Sequence, residues 1–294
     1  MRVFMVNART GELKMTTKDV PEVVVSDLGI TRGDGIFESF SLARGAVQSL
    51  DAHIARLEKS AVILDLADEL DFDVLKSAVV EAAEAFEKLD EFNGSQEYVI
   101  KLVVTRGPEE CLDAGICLPT VWLHFMEFTT PRTVRIDGIK VVTLDRGYST
   151  SVPKTSPWLL QGAKTLSYAV NKAVGREAKR RGADDVLFIS SDGFALEGPT
   201  SNLLARFGSK FVTTRLDSGV LEGTTQKRAF DFLEKSGYTT AYELVPKDAL
   251  YEADGLWLLS SGRQAAAIKE LDGQNIYVDK KLNERLNEYL LSNP

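Results

Sequence analysis

Apolar residues along this chain alternate between two spacings. At Ile54, Leu57, Ala61 and Leu64 they recur three and four apart, which is one face of an amphipathic helix that Asp51 can cap. His53, Arg56 and Ser60 fall on the neighbouring stripe. A second helix is expected over residues 74–89, with Ala78, Ala82 and Ala85 at helical spacing. Residues 97–105 and 121–125 are rich in β-branched and aromatic side chains and read as strands, as do residues 139–143. After Lys164 the spacing turns helical again, with Leu166, Val170, Ala173 and Ala178 inward and Gly182 as C-cap. Residues 186–189 and 194–196 flank a Ser-Asp-Gly turn and suggest a hairpin. Residues 220–237 read as a loop and helix, and residues 256–259 as a buried strand. Strands alternating with helices imply an α/β or α+β fold.

The polar stretch 128–132 is the best linker candidate. It divides the chain into an N-terminal α/β domain (1–128), a linker (129–135) and a C-terminal domain (136–294) carrying Lys164. Residues 145–161 form a long loop rich in Ser, Thr and Pro, of the kind that serves as a lid or stays disordered.

Composition narrows the picture. A chain of 294 residues suits one large or two medium domains, and 44% hydrophobic residues can bury a sizeable core. The net charge of -8 and the dispersed basic residues argue against nucleic-acid binding. The longest basic cluster, Lys179-Arg180-Arg181, suits the last turn of a helix. Cys111 and Cys117 fit neither a zinc pattern nor a disulfide framework. His53 and His124 lack ligand spacing, so no metal is expected. No apolar run reaches membrane-spanning length, and the N-terminus turns polar too soon for a signal peptide. A cytoplasmic protein is expected.

Four segments carry candidate chemistry. Lys164 follows Gly162 and Ala163, small residues that allow close approach, at the start of an apolar helix. An amine that acts as nucleophile or base needs such partial burial. Glu197 ends a strand before Gly198 and Pro199. Gly223-Thr224-Thr225 opens a helix, where free N–H groups and hydroxyls suit an anion. The stretch lacks the lysine of a nucleotide P-loop. Arg56 could add a fork of donors to the same anion, and Ser261, after a buried strand, a hydroxyl. Each has an ordinary reading as well: a solvated lysine, a turn glutamate, a threonine N-cap, a surface arginine, a plain turn. Their order is what is specific. An amine, a carboxylate and an anion cradle are the parts that hold pyridoxal 5'-phosphate.

With these segments in place the chain resembles the fold-type IV (class IV) pyridoxal-phosphate enzymes over nearly its whole length. The likeness begins at residues 25–29 and 32–38 and continues through 51–57, 164–168, 197–202 and 223–225, ending near 253–255. It implies a two-domain α/β fold with the cofactor between domains, and a homodimer. It also implies that Lys164 bonds the cofactor aldehyde, that Glu197 pairs with the ring nitrogen, and that Arg56, Thr224, Thr225 and Ser261 hold the phosphate. The apolar 35–37 segment beside the expected site is a further reason to expect a homodimer with its sites at or near the interface.

Within the family, branched-chain aminotransferases carry an arginine shortly after the Phe-Glu pair, where this chain has Ser41. D-amino-acid aminotransferases place an Arg-x-His clamp after Thr-Arg-Gly, absent after Gly107. Residues 162–168 and 196–201 look most like actinobacterial-type 4-amino-4-deoxychorismate lyases, which eliminate pyruvate to leave 4-aminobenzoate for folate synthesis. The enterobacterial lyases have a second arginine after Arg-Gly and an asparagine near position 260, where this chain has acids and Ser260. A D-amino-acid or branched-chain aminotransferase is the alternative. Aminodeoxychorismate brings two carboxylates, and Arg106 and Arg263 are the candidate substrate residues, with Arg32, Arg146 and Lys154 behind them.

Overall fold

The computed structural model describes residues 2–129 and 133–292. The chain forms two compact units. The first takes residues up to 129 and also residues 163–168; the second takes 130–162 and the chain from 169 onward. Lys164 therefore belongs to the first unit, whereas a division at 129–135 places it in the second. The reason is strand pairing: Thr165 bridges Ile36, a partner 129 positions earlier that local composition does not reveal. Residues 130–132 of the expected linker lie outside the described residues.

The first unit is an antiparallel sheet ordered β2-β1-β6-β5-β3-β4. Its strands are β1 (Arg2–Val6), β2 (Leu13–Thr17), β3 (Gly35–Ala43), β4 (Ala46–Val47), β5 (Tyr98–Thr105) and β6 (Val121–Glu127). Helices α1 (Leu50–Ile63) and α2 (Phe72–Glu87) lie against one face. Ile36 and Phe40 of β3, Ile100 and Leu102 of β5, and Leu123 and Phe125 of β6 are fully buried. Phe86 of α2 stacks on Phe125 with centroids 4.6 Å apart.

Helix α1 starts one residue before the expected cap. Ser49 is its N-cap, and Asp51 sits in the first turn, paired with Lys76 of α2. The apolar stripe is buried as its spacing predicts, but so is the polar one: His53, Arg56 and Ser60 are 1%, 8% and 1% exposed. Three polar groups on a buried face require partners, and these partners form part of the site.

The second unit is a nine-stranded mixed sheet whose main path runs β12-β11-β10-β13-β14-β7-β8. Its strands are β7 (Ile139–Asp145), β8 (Asp185–Ile189), β9 (Glu197–Gly198), β10 (Ser201–Phe207), β11 (Lys210–Thr214), β12 (Thr239–Glu243), β13 (Gly255–Ser260), β14 (Gln264–Leu271) and β15 (Gln274–Asn275). Helices α3 (Ala169–Arg180), α4 (Thr224–Lys235) and α5 (Lys280–Ser292) complete it. In β13, Leu256 and Leu258 enter one core cluster, while Trp257 and Leu259 enter another with α4 and α5. Burial on both faces is why this strand reads as an unbroken apolar run.

Two local expectations differ, those for the start of α3 and for the loop at 145–161, and a third is met in short form. Helix α3 begins at Ala169, and residues 164–168 precede it as a non-helical stretch. Its packed face uses Val174 and Ala178, whereas Val170 and Ala173 are exposed. The expected hairpin forms with a short second arm: Ser190 N–H donates to Phe194 O and Leu196 N–H to Phe188 O, both at 2.8 Å, on either side of the bridge between Ile189 and Ala195. The loop at 145–161 contains a short helix, Val152–Thr155, and a 3-10 turn, Pro157–Leu159. No described helix is long and apolar enough to cross a membrane.

Candidate active site

In the first unit the site is built around Lys164. The segment holding it pairs with the start of β3: Phe37 N–H donates to Lys164 O at 3.0 Å, and Leu166 N–H to Gly35 O at 2.8 Å. This approach needs a glycine at 35. A Cβ there would lie 2.6 Å from Val104 O and 2.8 Å from Leu166 Cδ1. From α1, Ser60 Oγ accepts the Lys164 N–H at 3.1 Å. Strand and helix together fix the backbone from which the amine extends. Lys164 Nζ sits over the Phe37 ring, 4.5 Å from its centroid, and Tyr168 meets the same ring edge-on at 5.1 Å. Lys101 of β5 places a second ammonium over that ring at 4.3 Å. Nothing in the local sequence around Lys101 marks it; only the strand register brings it beside Phe37.

Beside Phe37 on β3, Glu38 points the other way, into the buried stripe of α1. Arg56 grips it side-on, Nε to Oε1 and Nη2 to Oε2, both at 2.7 Å. His53 Nδ1 lies 2.6 Å from Oε2. An ionised carboxylate only accepts, so this nitrogen carries the proton and donates it. Burial by itself would raise the Glu38 pKa, but Arg56 and His53 overcome it and hold the group far below the usual carboxylate range. Burial lowers the His53 pKa, and the charges of Arg56 and Lys164 add to that effect against the pull of Glu38, so the ring is neutral. Arg56 is thus a buried, ion-paired residue, unlike a surface arginine.

In the second unit Glu197, on β9, is tied to the segment that leads into α4. Its Oε2 accepts from Leu221 N–H at 3.1 Å and from Asn202 Nδ2 at 3.2 Å. Asn202 Nδ2 also donates to Leu221 O at 2.7 Å. A Cβ on Gly223 would fall 2.0 Å from Asn202 Oδ1, so that glycine is needed for close approach. Asn202 therefore couples the carboxylate to the helix start, a role its place in the 197–202 motif did not disclose. Gly223 is the N-cap of α4 and offers no side-chain cap. Thr224 and Thr225 follow, both buried. An uncapped first turn with buried hydroxyls suits an anion. In the 260–263 turn, Gln264 Nε2 donates to Ser261 O at 2.7 Å, and Arg135 donates to Gly262 O and Arg263 O at 2.9 Å each. Side chains thus engage the turn's carbonyls.

The two candidate substrate arginines are both ion-paired. Arg106 bonds Asp34 through Nε at 2.8 Å and Nη2 at 3.3 Å, and donates to Asp65 O at 3.1 Å and to Leu64 O. It clamps the end of α1 to the approach to β3. Arg263 pairs with Asp185. Among the lesser candidates, Arg146 donates to Tyr148 Oη at 2.9 Å and covers the Phe188 ring at 4.6 Å. Lys154 pairs with Asp217 at 3.0 Å, and Arg32 is exposed, 4.0 Å from Glu109. The 35–37 segment is buried within β3, so it is no exposed dimer contact.

The family model "Amino-transferase class IV" matches residues 35–271. The chain belongs to the class IV aminotransferases. A relative from Mycobacterium tuberculosis, described as a bifunctional aminodeoxychorismate lyase / D-amino acid transaminase, is 35% identical over 87% of this chain and 88% of its own. A fold IV-transaminase from Curtobacterium pusillum superposes with a TM-score of 0.91 at 44% identity, covering 99% of this chain and 97% of that one. A hypothetical aminotransferase from Mycobacterium tuberculosis, in its PLP-bound form, gives 0.88 at 32% identity with 99% of both chains covered. Like other class IV aminotransferases and the lyases related to them, the protein is a pyridoxal phosphate-dependent enzyme. Its residues fit the cofactor. They offer an amine held beside an aromatic ring, a carboxylate fixed by an amide and an N–H, and a helix start without a side-chain cap.

Proposed function

We propose that the protein is a 4-amino-4-deoxychorismate lyase that also transaminates D-amino acids, with Lys164 as the acid–base group of both reactions. The observation that carries the reading is the way Lys164 is held. Its carbonyl and amide are fixed by Phe37 and Ser60, and its amine lies over the Phe37 ring. An amine carried on a fixed backbone beside an aromatic face suits a group that moves one proton between two atoms.

Pyridoxal phosphate, when bound, supplies a ring that takes up negative charge from the carbon bearing the substrate amine. Lys164 then acts on the proton of that carbon. In the lyase reaction it removes the proton and delivers it to the departing enolpyruvyl group, which leaves with its ether oxygen as pyruvate while the ring becomes aromatic as 4-aminobenzoate. In transamination it returns the proton one position further along. Glu197 holds the proton on the ring nitrogen, with Asn202 and the Leu221 N–H keeping its carboxylate in place. Thr224, Thr225, Ser261 and Arg56 bind the phosphate. Phe37 and Tyr168 shield the amine from water.

The Mycobacterium tuberculosis relative, described with both activities, supports a double function. One structural observation favours transamination as the larger share: Arg106 and Arg263 are already paired with Asp34 and Asp185, leaving fewer cations for a substrate with two carboxylates. Lys101, over the ring shared with Lys164, is the cation proposed for a substrate carboxylate in the first unit. The reading includes a cytoplasmic homodimer supplying 4-aminobenzoate for folate synthesis. The exposed apolar side chains Val25, Ile30 and Ile116 support a covered surface on the first unit.

The test is a side-by-side kinetic comparison. Pyruvate release from aminodeoxychorismate is measured beside transfer from D- and L-alanine to 2-oxoglutarate. Both activities should appear, with D-alanine preferred, and both should vanish in Lys164→Ala. Absence of pyruvate release at saturating substrate would remove the lyase and leave the transaminase.

A further inference from the structure

The buried pair Glu38–Arg56 has two opposite effects on an anion bound by Arg56. The carboxylate subtracts from the positive potential of the guanidinium, which weakens anion binding. It also fixes the orientation of the fork, which strengthens binding by removing the entropy of ordering a long side chain. Resting on the reading that Arg56 contacts the cofactor phosphate, we propose that the second effect wins: Glu38, held by His53, is a positioning residue for phosphate capture.

Glu38 is 0% exposed and engages Arg56 through two parallel bonds of 2.7 Å. This bidentate contact fixes the guanidinium plane, which a single bond cannot do. The carboxylate is itself pinned. His53 donates to Oε2 at 2.6 Å, and its ring lies against Phe40 with centroids 4.8 Å apart. A buried arginine without such a partner would be costly before any cofactor arrives.

The pair also shares its supports with Lys164. Glu38 follows Phe37, whose N–H holds Lys164 O. Arg56 lies one helical turn before Ser60, which holds Lys164 N–H. The fork and the amine are therefore referenced to the same strand and the same helix, so a shift of α1 against β3 would displace both.

The experiment titrates the apoprotein with pyridoxal phosphate and, separately, with pyridoxal, which lacks the phosphate. The ratio of the two affinities reports the phosphate contact alone. Glu38→Gln should lower the ratio about tenfold or more, with pyridoxal binding unchanged. Glu38→Asp keeps the charge and shortens the reach, so it should lower the ratio in the same direction; it decides the matter if the glutamine variant does not fold. A ratio that rises in either variant, or stays within twofold in both, overturns the positioning role. Arg56→Lys separates the two levels of argument. If it leaves the ratio unchanged, Arg56 does not touch phosphate and the underlying reading fails. If it lowers the ratio while the Glu38 variants do not, only the role of Glu38 fails.

Discussion

Ser60 Oγ accepts the main-chain N–H of Lys164 at 3.1 Å, across 104 residues of sequence. The hydroxyl lies on the same buried stripe of α1 as His53 and Arg56. One helix thus positions the amine proposed for chemistry and the cation proposed for phosphate.

Ser60→Ala should leave the part-buried Lys164 amide without this acceptor. The expected loss is about 1–3 kcal/mol of stability, read as a lower midpoint in thermal unfolding. Turnover per bound cofactor should fall as well, because the amine loses one of its two backbone anchors. A variant as stable and as active as the parent would show that Phe37 alone is sufficient.

Borohydride reduction of the cofactor-loaded protein should fix the cofactor to Lys164, located by peptide mass mapping. Label on another lysine, Lys101 included, would reassign the centre.

Glu197→Gln should retain cofactor and lose turnover, on the order of a hundredfold. The amide can still accept from Leu221 N–H but cannot hold a proton on a ring nitrogen as a carboxylate does. Equal loss of cofactor binding and of turnover would mark Glu197 as a purely structural brace of the segment entering α4.

Arg106→Met should affect folding before catalysis. It leaves Asp34 unpaired and the end of α1 unclamped, at a cost of about 1–3 kcal/mol. The thermal midpoint should drop while KM for either substrate changes little. A large rise in KM with unchanged stability would return Arg106 to the substrate.

Stability should fall on acidification in two stages. The folded His53 pKa lies below its ordinary value of 6.5, so the unfolded chain binds the proton more readily. Its contribution is complete above 6.5 and declines as the pH drops below it. Glu38 is also depressed, from 4.5. Its contribution is present above 4.5 and is lost as the pH falls further, through its folded pKa. His53→Gln should abolish the first stage and leave the second, as read from denaturant midpoints between pH 7 and pH 3.

The sequence by itself determined the α/β class, the inner face of α1, the continuous burial of β13 and the order of lysine, carboxylate and helix start. These are legible because side-chain period and turn chemistry are local properties of a few neighbouring residues. Only the tertiary structure decided what each buried polar group faces. Arg106 meets Asp34 and Arg263 meets Asp185, partners 72 and 78 positions away. Lys164 looks like a helix residue because apolar spacing continues through Leu166. Pairing of Leu166 with Gly35 and of Thr165 with Ile36 holds it in a non-helical stretch instead, since backbone pairing to a distant strand outweighs a short helical preference. Arg56 fits a polar surface stripe equally well by spacing. The carboxylate of Glu38, delivered from β3, makes its burial possible.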